Sequence, residues 1–493
     1  MLRKLSLYFW ALLFAFLACF FFSSSTSPLY PHTNIDLINL DSNFFLYEAN
    51  VWNHGGTPYV DFFDHKGLFH IAIDAIGLRR GGRYGVFSLQ ILAGFLGLIF
   101  LFKAIRLLSP EEKGWIIFGG IAYFAMYTIS PCGNTEGEWM LPWVSAGFYY
   151  LVKGMKTSSL WDFRLGCFLA GLEVGFSLNS RPLDALWGGT MVVAYFVYYL
   201  RKKMGIELLY DALIAILGLA LPFVLFLSIA YAGGYASLML KSVFVEGLFY
   251  IREPLDSLDT WLNRGIILIV FILEFFCFRY ERKKSDPLIA EFFFVASLVS
   301  ALLYFVCARF YSYYWSGYTF YILNFIYALS LWTPKKLPAF SLPKKASLVL
   351  GSLITVWALT FLTLYYTCGL SNFSASNAQA IETTILNNIP ETSRKEKGQV
   401  LAIDCDAGVY TVGGIISGEK YFANQSWWSL FMKDVKDSVN KDLLSSTRPS
   451  YLLVSENNPW TYDNFGEAIH QNYRSITGTK EASKGQFTIY EKI

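Results

Sequence analysis

Between residues 41 and 66 the chain gathers Asp41, Glu48, Tyr59, Asp61, Asp64, His65 and Lys66 into one short stretch between apolar runs. Acids and a lysine beside a bilayer are costly unless they face water or do chemistry. A carboxylate there could take the proton of an acceptor hydroxyl, and the ammonium could hold a phosphate. Each residue also has a plainer reading. Asp41 would cap a helix, Asp61 and Asp64 would solvate a turn, and Lys66 would snorkel at an interface. A second polar group comes from short segments elsewhere: Asn134, Glu136 and Glu138, then Arg181 before Pro182, then Arg309 and Tyr313 in ARFYSYYW. A guanidinium keeps its charge and matches phosphate oxygens, so Arg181 and Arg309 suit a phosphate as well as they suit interfacial anchoring. Tyr313 belongs to the run YSYYWSGYTFY (311–321). That run reads equally as an aromatic belt and as the lining of a groove for a lipid tail or sugar face.

The elements that must position these residues are membrane helices. Of 493 residues, 54% are hydrophobic and only 16% are charged, and the charges cluster between long apolar runs. A hydrocarbon core about 30 Å thick needs roughly 20 apolar residues per helix. Apolar spans read at about 5–24, 84–107, 114–130, 138–153, 161–178, 183–200, 208–231, 263–280, 287–306, 310–332 and 346–368. With eleven spans, the basic clusters at Arg3/Lys4, Lys103/Arg106/Lys113, Lys153/Lys156, Arg201/Lys202/Lys203, Arg279/Arg282/Lys283/Lys284 and Lys335/Lys336/Lys344/Lys345 all fall on one side. The positive-inside rule makes that side the cytoplasm. The N-terminus is then inside, and both polar groups lie outside. The first apolar run reads as a retained helix rather than a cleaved signal, because it is long and many spans follow.

The first outer segment, 25–83, reads as more than a loop. Asp41, Phe44, Phe45, Glu48 and Trp52 share one helical stripe in DSNFFLYEANVW, which predicts a helix along the membrane interface. The turn Gly55–Pro58 ends it, and a second short helix should run from Lys66 to about Leu78. From 369 to 493 the character changes. QVLAIDCD (399–406), SYLLVSE (450–456) and FTIYEKI (487–493) read as strands and Asp434–Leu444 as a polar helix, together a small extracytoplasmic α/β domain. The expected architecture is thus an all-α polytopic membrane domain, 1–368, followed by that small domain, 369–493.

Other classes find little support. The net charge is only +3, with no basic stripe for nucleic acid. The five histidines are scattered and the seven cysteines form no CxxC pair, so the cysteines read as small hydrophobes. Lys241, Glu246, Arg252 and Glu253 could cover a site from the outer loop 232–262, though a solvated face is the simpler reading. Glu274 and Glu291 are expected to pair locally with Arg279, Arg282, Lys283 or Lys284.

Several motifs resemble a known family. Asp41 in DSNFFLYEANVW, GGTPYVDFFDHKG (55–67), NTEGEWMLP (134–142), SRPLDA (180–185) and ARFYSYY (308–314) are similar to the polyprenyl-phosphate-sugar-dependent glycosyltransferases of the GT-C fold. That group includes the protein O-mannosyltransferase-like and aminoarabinose-transferase-like enzymes. The resemblance implies Asp41 as catalytic base and Lys66 and Arg309, with Arg181, as donor-phosphate ligands. Glu48, Tyr59, Asp61, Asp64, His65, Asn134, Glu136, Glu138 and Tyr313 would support or bind substrate. It implies a polyprenyl-phosphate-linked sugar donor and a glycan, lipid or protein acceptor, with inverting transfer at the outer face of the plasma (inner) membrane. No cofactor is required, although the acids leave room for a divalent cation. Gly67 stands where relatives often carry Pro, and Ser312-Tyr313-Tyr314 where they often carry Gly-His-Tyr. The competing class is a transporter or lipid flippase, which would more often show repeated halves and midplane charges; a non-catalytic scaffold is a third.

Overall fold

The computed structural model describes residues 2–23, 25–29, 41–108, 116, 119–120, 123, 133–202, 205–247, 258–284, 286–306, 327, 370–455, 458–477 and 487–493. The expected span at 346–368, nearly all of those at 114–130 and 310–332, the boundary at 368/369, Arg252, Glu253, Arg309 and Tyr313 lie outside the described residues.

The chain opens with α1 (Leu2–Phe22), α2 (Asp41–Asn53), α3 (Leu68–Gly81) and α4 (Arg83–Leu108), and continues with α5 (Glu136–Thr157), α6 (Leu160–Leu178), α7 (Ala185–Lys202), α8 (Gly205–Ala232), α9 (Leu258–Lys284) and α10 (Pro287–Val306). Arg83–Leu108, Pro182–Lys202 and Gly205–Ala232 are long and apolar enough to cross a membrane, and shorter apolar helices occur at Leu7–Phe22 and Pro287–Leu302. Those three are fewer than the eleven spans expected, part of the difference falling on undescribed residues. Leu7, Ala11, Ala15, Ala18 and Phe22 of α1 are all buried. Their spacing of three and four residues makes one face of a helix.

Glycines set the closest crossings near the polar groups. A Cβ on Gly85 would lie 2.0 Å from the Gly77 carbonyl oxygen, so α3 and α4 meet backbone to backbone. Gly67, just before α3, donates its N–H to the Ser180 carbonyl at 2.7 Å, and Phe69 donates to Asn179 at 2.7 Å. A Cβ on Gly67 would lie 2.2 Å from the Asn179 carbonyl carbon. Proline at 67 would lose that donor and add the clashing atoms. Glycine therefore lets the Lys66 segment lie directly on the Arg181 segment.

The C-terminal part carries α11 (Leu370–Asn388), β1 (Val400–Ile403), α12 (Val435–Leu444), β2 (Tyr451–Ser455), α13 (Pro459–Asn472), β3 (Tyr473–Ser475) and β4 (Phe487–Lys492). The sheet order is β1-β2-β4-β3. β1 runs parallel to β2, with Val400 opposite Tyr451, and β4 is antiparallel to both β2 and β3. Side chains alternate along a strand, so the two faces have different partners. Leu401, Ile403, Leu452 and Val454 pack with Val439 and Leu443 of α12 and Phe465 and Ile469 of α13. Val400, Ala402, Leu453 and Ile489 belong to a core that also holds Phe44 and Tyr47 of α2 and Phe62 and Phe63.

That shared core corrects one expectation. α2 starts at Asp41 as predicted, but residues 42–49 are all buried, not a single stripe. The C-terminal part covers the face that would otherwise meet water. Tyr47 lies 4.5 Å, ring to ring, from both Tyr410 and Phe422, and its hydroxyl accepts from Ser417 N at 2.7 Å. Asn43 Nδ2 donates to Asp406 at 2.7 Å. Glu291 also departs from its expected local partners. Glu291 meets Arg201 of α7 at 3.6 Å, and Glu274 accepts from Ser297 Oγ at 3.3 Å. The Glu291 partner is therefore on a neighbouring helix, because helix packing brings α7 and α10 together, and the packing of α9 against α10 gives Glu274 the Ser297 hydroxyl.

Overpacking a tight backbone contact costs about 1–3 kcal/mol. Gly67→Ala should lower the thermal midpoint of the detergent-solubilised protein accordingly. Gly81→Ala is the control, since nothing lies within 4 Å of the added Cβ; equal midpoints for the two variants would contradict the packing account.

Candidate active site

Lys66 is the hub of the site. Its Nζ lies 3.8 Å from Asp41 Oδ2, 3.9 Å from Asp64 Oδ1 and 3.7 Å from Glu136 Oε1. All three contacts exceed a normal hydrogen bond of about 2.7–3.2 Å. They are charge contacts, with the ammonium between the acids. The aliphatic and aromatic surroundings also hold it, with Nζ 4.7 Å above the Phe45 ring centre. Glu136 reaches a second cation, Arg181 Nη1, at 3.5 Å. Arg181 is itself fixed by a two-point contact with Asp184, at 2.7 and 3.1 Å. Such a fork sets the guanidinium plane.

The acids differ in access. The Asp41 side chain is 29% exposed, against 3% for Asp64 and 0% for Glu136. Asp41 is also the first residue of α2, where the helix dipole favours a negative charge. Asp64 takes structural contacts too. It accepts from Lys66 N at 3.2 Å and meets His65 Nδ1 at 3.2 Å. The His65 ring stands edge-on to Trp428 at 5.6 Å, so the C-terminal part reaches the residue next to the lysine.

Tyr59 supports the hub from behind. It is fully buried, holds a left-handed φ of 63°, and donates its hydroxyl to the Lys66 carbonyl at 2.8 Å. A positive φ is uncommon for a bulky residue, and here burial and that bond enforce it. Asp61 is elsewhere. Its carboxylate accepts from Thr57 N at 2.7 Å and meets Lys397 at 2.6 Å, so it closes the turn and clamps it to the C-terminal part. Lys241 and Glu246 pair with each other at 3.1 Å.

Asn134 and Glu138 form a layer beneath the hub, with two residues the sequence had not singled out. His70 Nε2 meets Asn134 Oδ1 at 3.0 Å, and Asn134 Nδ2 donates to Asp74 at 2.7 Å. Glu138 accepts from Asn134 N at 2.7 Å and from Gln90 at 3.0 Å. Burial pushes the His70 imidazole down to about 4, so it stays neutral. Burial likewise raises the Asp74 carboxyl well above its usual range. His70 and Asp74 lie four residues apart in a helix; that spacing was the available signal. Among the described residues no group of three or more His, Cys, Asp or Glu side chains is arranged to hold a metal ion.

Among the described residues, four separated segments thus put the partly exposed Asp41 beside the buried Lys66, which shares Glu136 with the buried Arg181. No protein-family model matches the chain, and no curated protein matches it. Among solved structures, ArnT from Cupriavidus metallidurans, bound to undecaprenyl phosphate, superposes with a TM-score of 0.63. The match covers 98% of each chain at 12% identity. The chain has the GT-C fold. On this GT-C fold Asp41, Lys66, Glu136 and Arg181 converge, whereas Arg309 and Tyr313 lie outside the described residues.

Glu48 stands apart from these pairs. It is fully buried, and neither carboxylate oxygen has a hydrogen-bond partner among the described residues. Burial raises its carboxyl well above the ordinary 4.5; the negative charge of Asp64 adds to the rise and Lys66 opposes it. The folded protein therefore retains a proton that the unfolded chain releases. Stability falls as pH climbs from the unfolded value toward the folded one. Glu48→Gln removes that loss. Its thermal midpoint should gain on the native protein between about pH 5 and pH 8; a constant difference would show a normally ionising carboxylate.

Proposed function

We propose that the chain is a multi-pass membrane glycosyltransferase. It moves a sugar from a polyprenyl-phosphate donor to a hydroxyl of a glycan, lipid or protein at the outer face of the plasma (inner) membrane. The N-terminus is cytoplasmic and the C-terminal domain, 369–493, extracytoplasmic. The observation that carries this reading is the pairing of Lys66 with Asp41, the most exposed of its three acids, next to Arg181. The likeness to a GT-C protein bound to undecaprenyl phosphate supports it.

In this mechanism the acceptor hydroxyl attacks the anomeric carbon from the face opposite the phosphate. Asp41 takes the hydroxyl proton. The bond from the anomeric carbon to the phosphate oxygen breaks, and its electron pair leaves with the polyprenyl phosphate. Lys66 and Arg181, with Arg309, stabilise that growing charge. Because phosphate is a good leaving group, positioning and charge stabilisation supply most of the acceleration. For the phosphate to reach Lys66, it must compete with the three carboxylates, and contacts of 3.7 to 3.9 Å are loose enough to yield. Burial, which raises the Glu48 carboxyl well above its ordinary value, works against one further negative charge beside the donor.

Asp41→Asn keeps the size and removes the base. Transfer from a polyprenyl-phosphate sugar should fall by about 10²–10⁴-fold, with undecaprenyl phosphate still bound. Full activity in that variant would overturn the assignment. Native protein that carries lipid or sugar across vesicle membranes and never transfers would favour the transporter reading.

A further inference from the structure

Glu136 bridges Lys66 and Arg181 through charge contacts longer than a hydrogen bond. It lies 3.7 Å from Lys66 and 3.5 Å from Arg181. Neither oxygen has a hydrogen-bond partner among the described residues. Its place must come from its backbone. That backbone follows two consecutive left-handed residues, Gly133 with φ 58° and Asn134 with φ 51°. A Cβ on Gly133 would lie 2.2 Å from Ser23 Oγ, so glycine is required there. Asparagine tolerates the left-handed region better than most residues, but a side-chain anchor is what selects it here.

We propose that Asn134 is a positioning residue for the transfer reaction, holding Glu136 against Lys66 and Arg181 through His70, Asp74 and Trp139. The inference rests on the glycosyltransferase reading for its catalytic consequence, but not for its geometry. Trp139 Nε1 donates to Asn134 Oδ1 at 3.2 Å. An indole N–H can only donate, which fixes the amide orientation. The other amide atom, Nδ2, then donates to Asp74 Oδ2 at 2.7 Å. His70 meets the same Oδ1 at 3.0 Å, so its neutral ring must carry the proton on Nε2. Each atom of the amide has its partner, and the backbone N–H of Asn134 goes to Glu138 at 2.7 Å. His70 and Asp74 are in α3, which begins two residues after Lys66. Asn134 thus ties the helix that follows the lysine to the helix that starts with Glu136. A positioning layer of this kind acts through geometry, without touching substrate.

The discriminating experiment exchanges the two polar groups. Asn134→Asp removes the amide N–H that Asp74 accepts and sets a second acid against a carboxyl that burial already holds above its usual range, which weakens the layer. The double variant Asp74→Asn with Asn134→Asp restores it, because the new amide donates back while the new carboxylate still accepts from Trp139 and His70. Two readouts are needed on the full-length protein in nanodiscs. Labelling of Lys66 by acetic anhydride at fixed pH, read by mass spectrometry, should rise roughly three- to tenfold in Asn134→Asp as one acid partner drifts away. The double variant should return to the native rate. Turnover should follow the same pattern, with kcat falling more than KM changes. Unchanged labelling in a folded Asn134→Asp protein would overturn the proposal. So would a double variant that recovers thermal stability but neither labelling nor turnover. If Asn134→Asp does not fold, Trp139→Phe removes the indole donor together with part of the ring; it must raise labelling, and a native rate would overturn the claim. A native protein without transfer activity would defeat the glycosyltransferase reading, while the labelling result would still judge the anchor.

Discussion

A lysine ammonium almost wholly removed from water needs acids around it, and among the described residues Asp41, Asp64 and Glu136 stand within 4 Å of Lys66. Desolvating an ion costs several kcal/mol, and that cost organises the surrounding structure. Asp41 comes from the start of α2, Asp64 from the turn before α3, and Glu136 from the start of α5. Arg181 arrives from the loop after α6 and shares Glu136 with the lysine. Among the described residues the acids around Lys66 and Arg181 outnumber these two cations, so on the proposed mechanism a donor phosphate would displace acids rather than fill an empty cationic pocket. The loose distances and the burial that opposes a charge on Glu48 both ease that exchange.

The neighbouring backbone is arranged to hold this constellation. Gly67 has no Cβ, which allows the lysine segment to lie on the residues before Arg181. Tyr59 accepts a strained φ in exchange for a hydrogen bond to the lysine carbonyl. On the far side of α2 the C-terminal sheet contributes one face of its core to Phe44, Tyr47 and Phe63. The ion pair of Asp61 with Lys397 joins the same two regions. The C-terminal part therefore bears directly on the helix that starts with Asp41, rather than hanging from the last span as an appendage.

Much of this was legible in the residues. Hydropathy placed the described apolar helices up to α10 to within a few residues, and short buried apolar runs found β1, β2 and β4, whereas α11, α13 and β3 were not foreseen. The charged stretch 41–66 was visible because such side chains are rare between apolar runs. Local pattern could not foresee long-range covering. The stripe in α2 predicted one wet face, since nothing in thirteen residues of helix announces a sheet folded on top of it. It also could not sort the acids. Asp61 and Asp64 differ by three positions, yet one clamps Lys397 and the other meets Lys66. Asp74 and His70 were passed over because a helix with apolar neighbours reads as buried packing. Their role appears only when Asn134 arrives from another segment.

The central claim is that Lys66 exchanges carboxylates for a lipid phosphate beside an accessible Asp41. An electron cryomicroscopy structure of the protein in nanodiscs with undecaprenyl phosphate addresses this most directly. The account predicts a phosphate oxygen within hydrogen-bonding distance of Lys66 Nζ, at least one carboxylate moved back, and Asp41 still open to an acceptor. A phosphate seated elsewhere, with Lys66 unmoved among Asp41, Asp64 and Glu136, would contradict it.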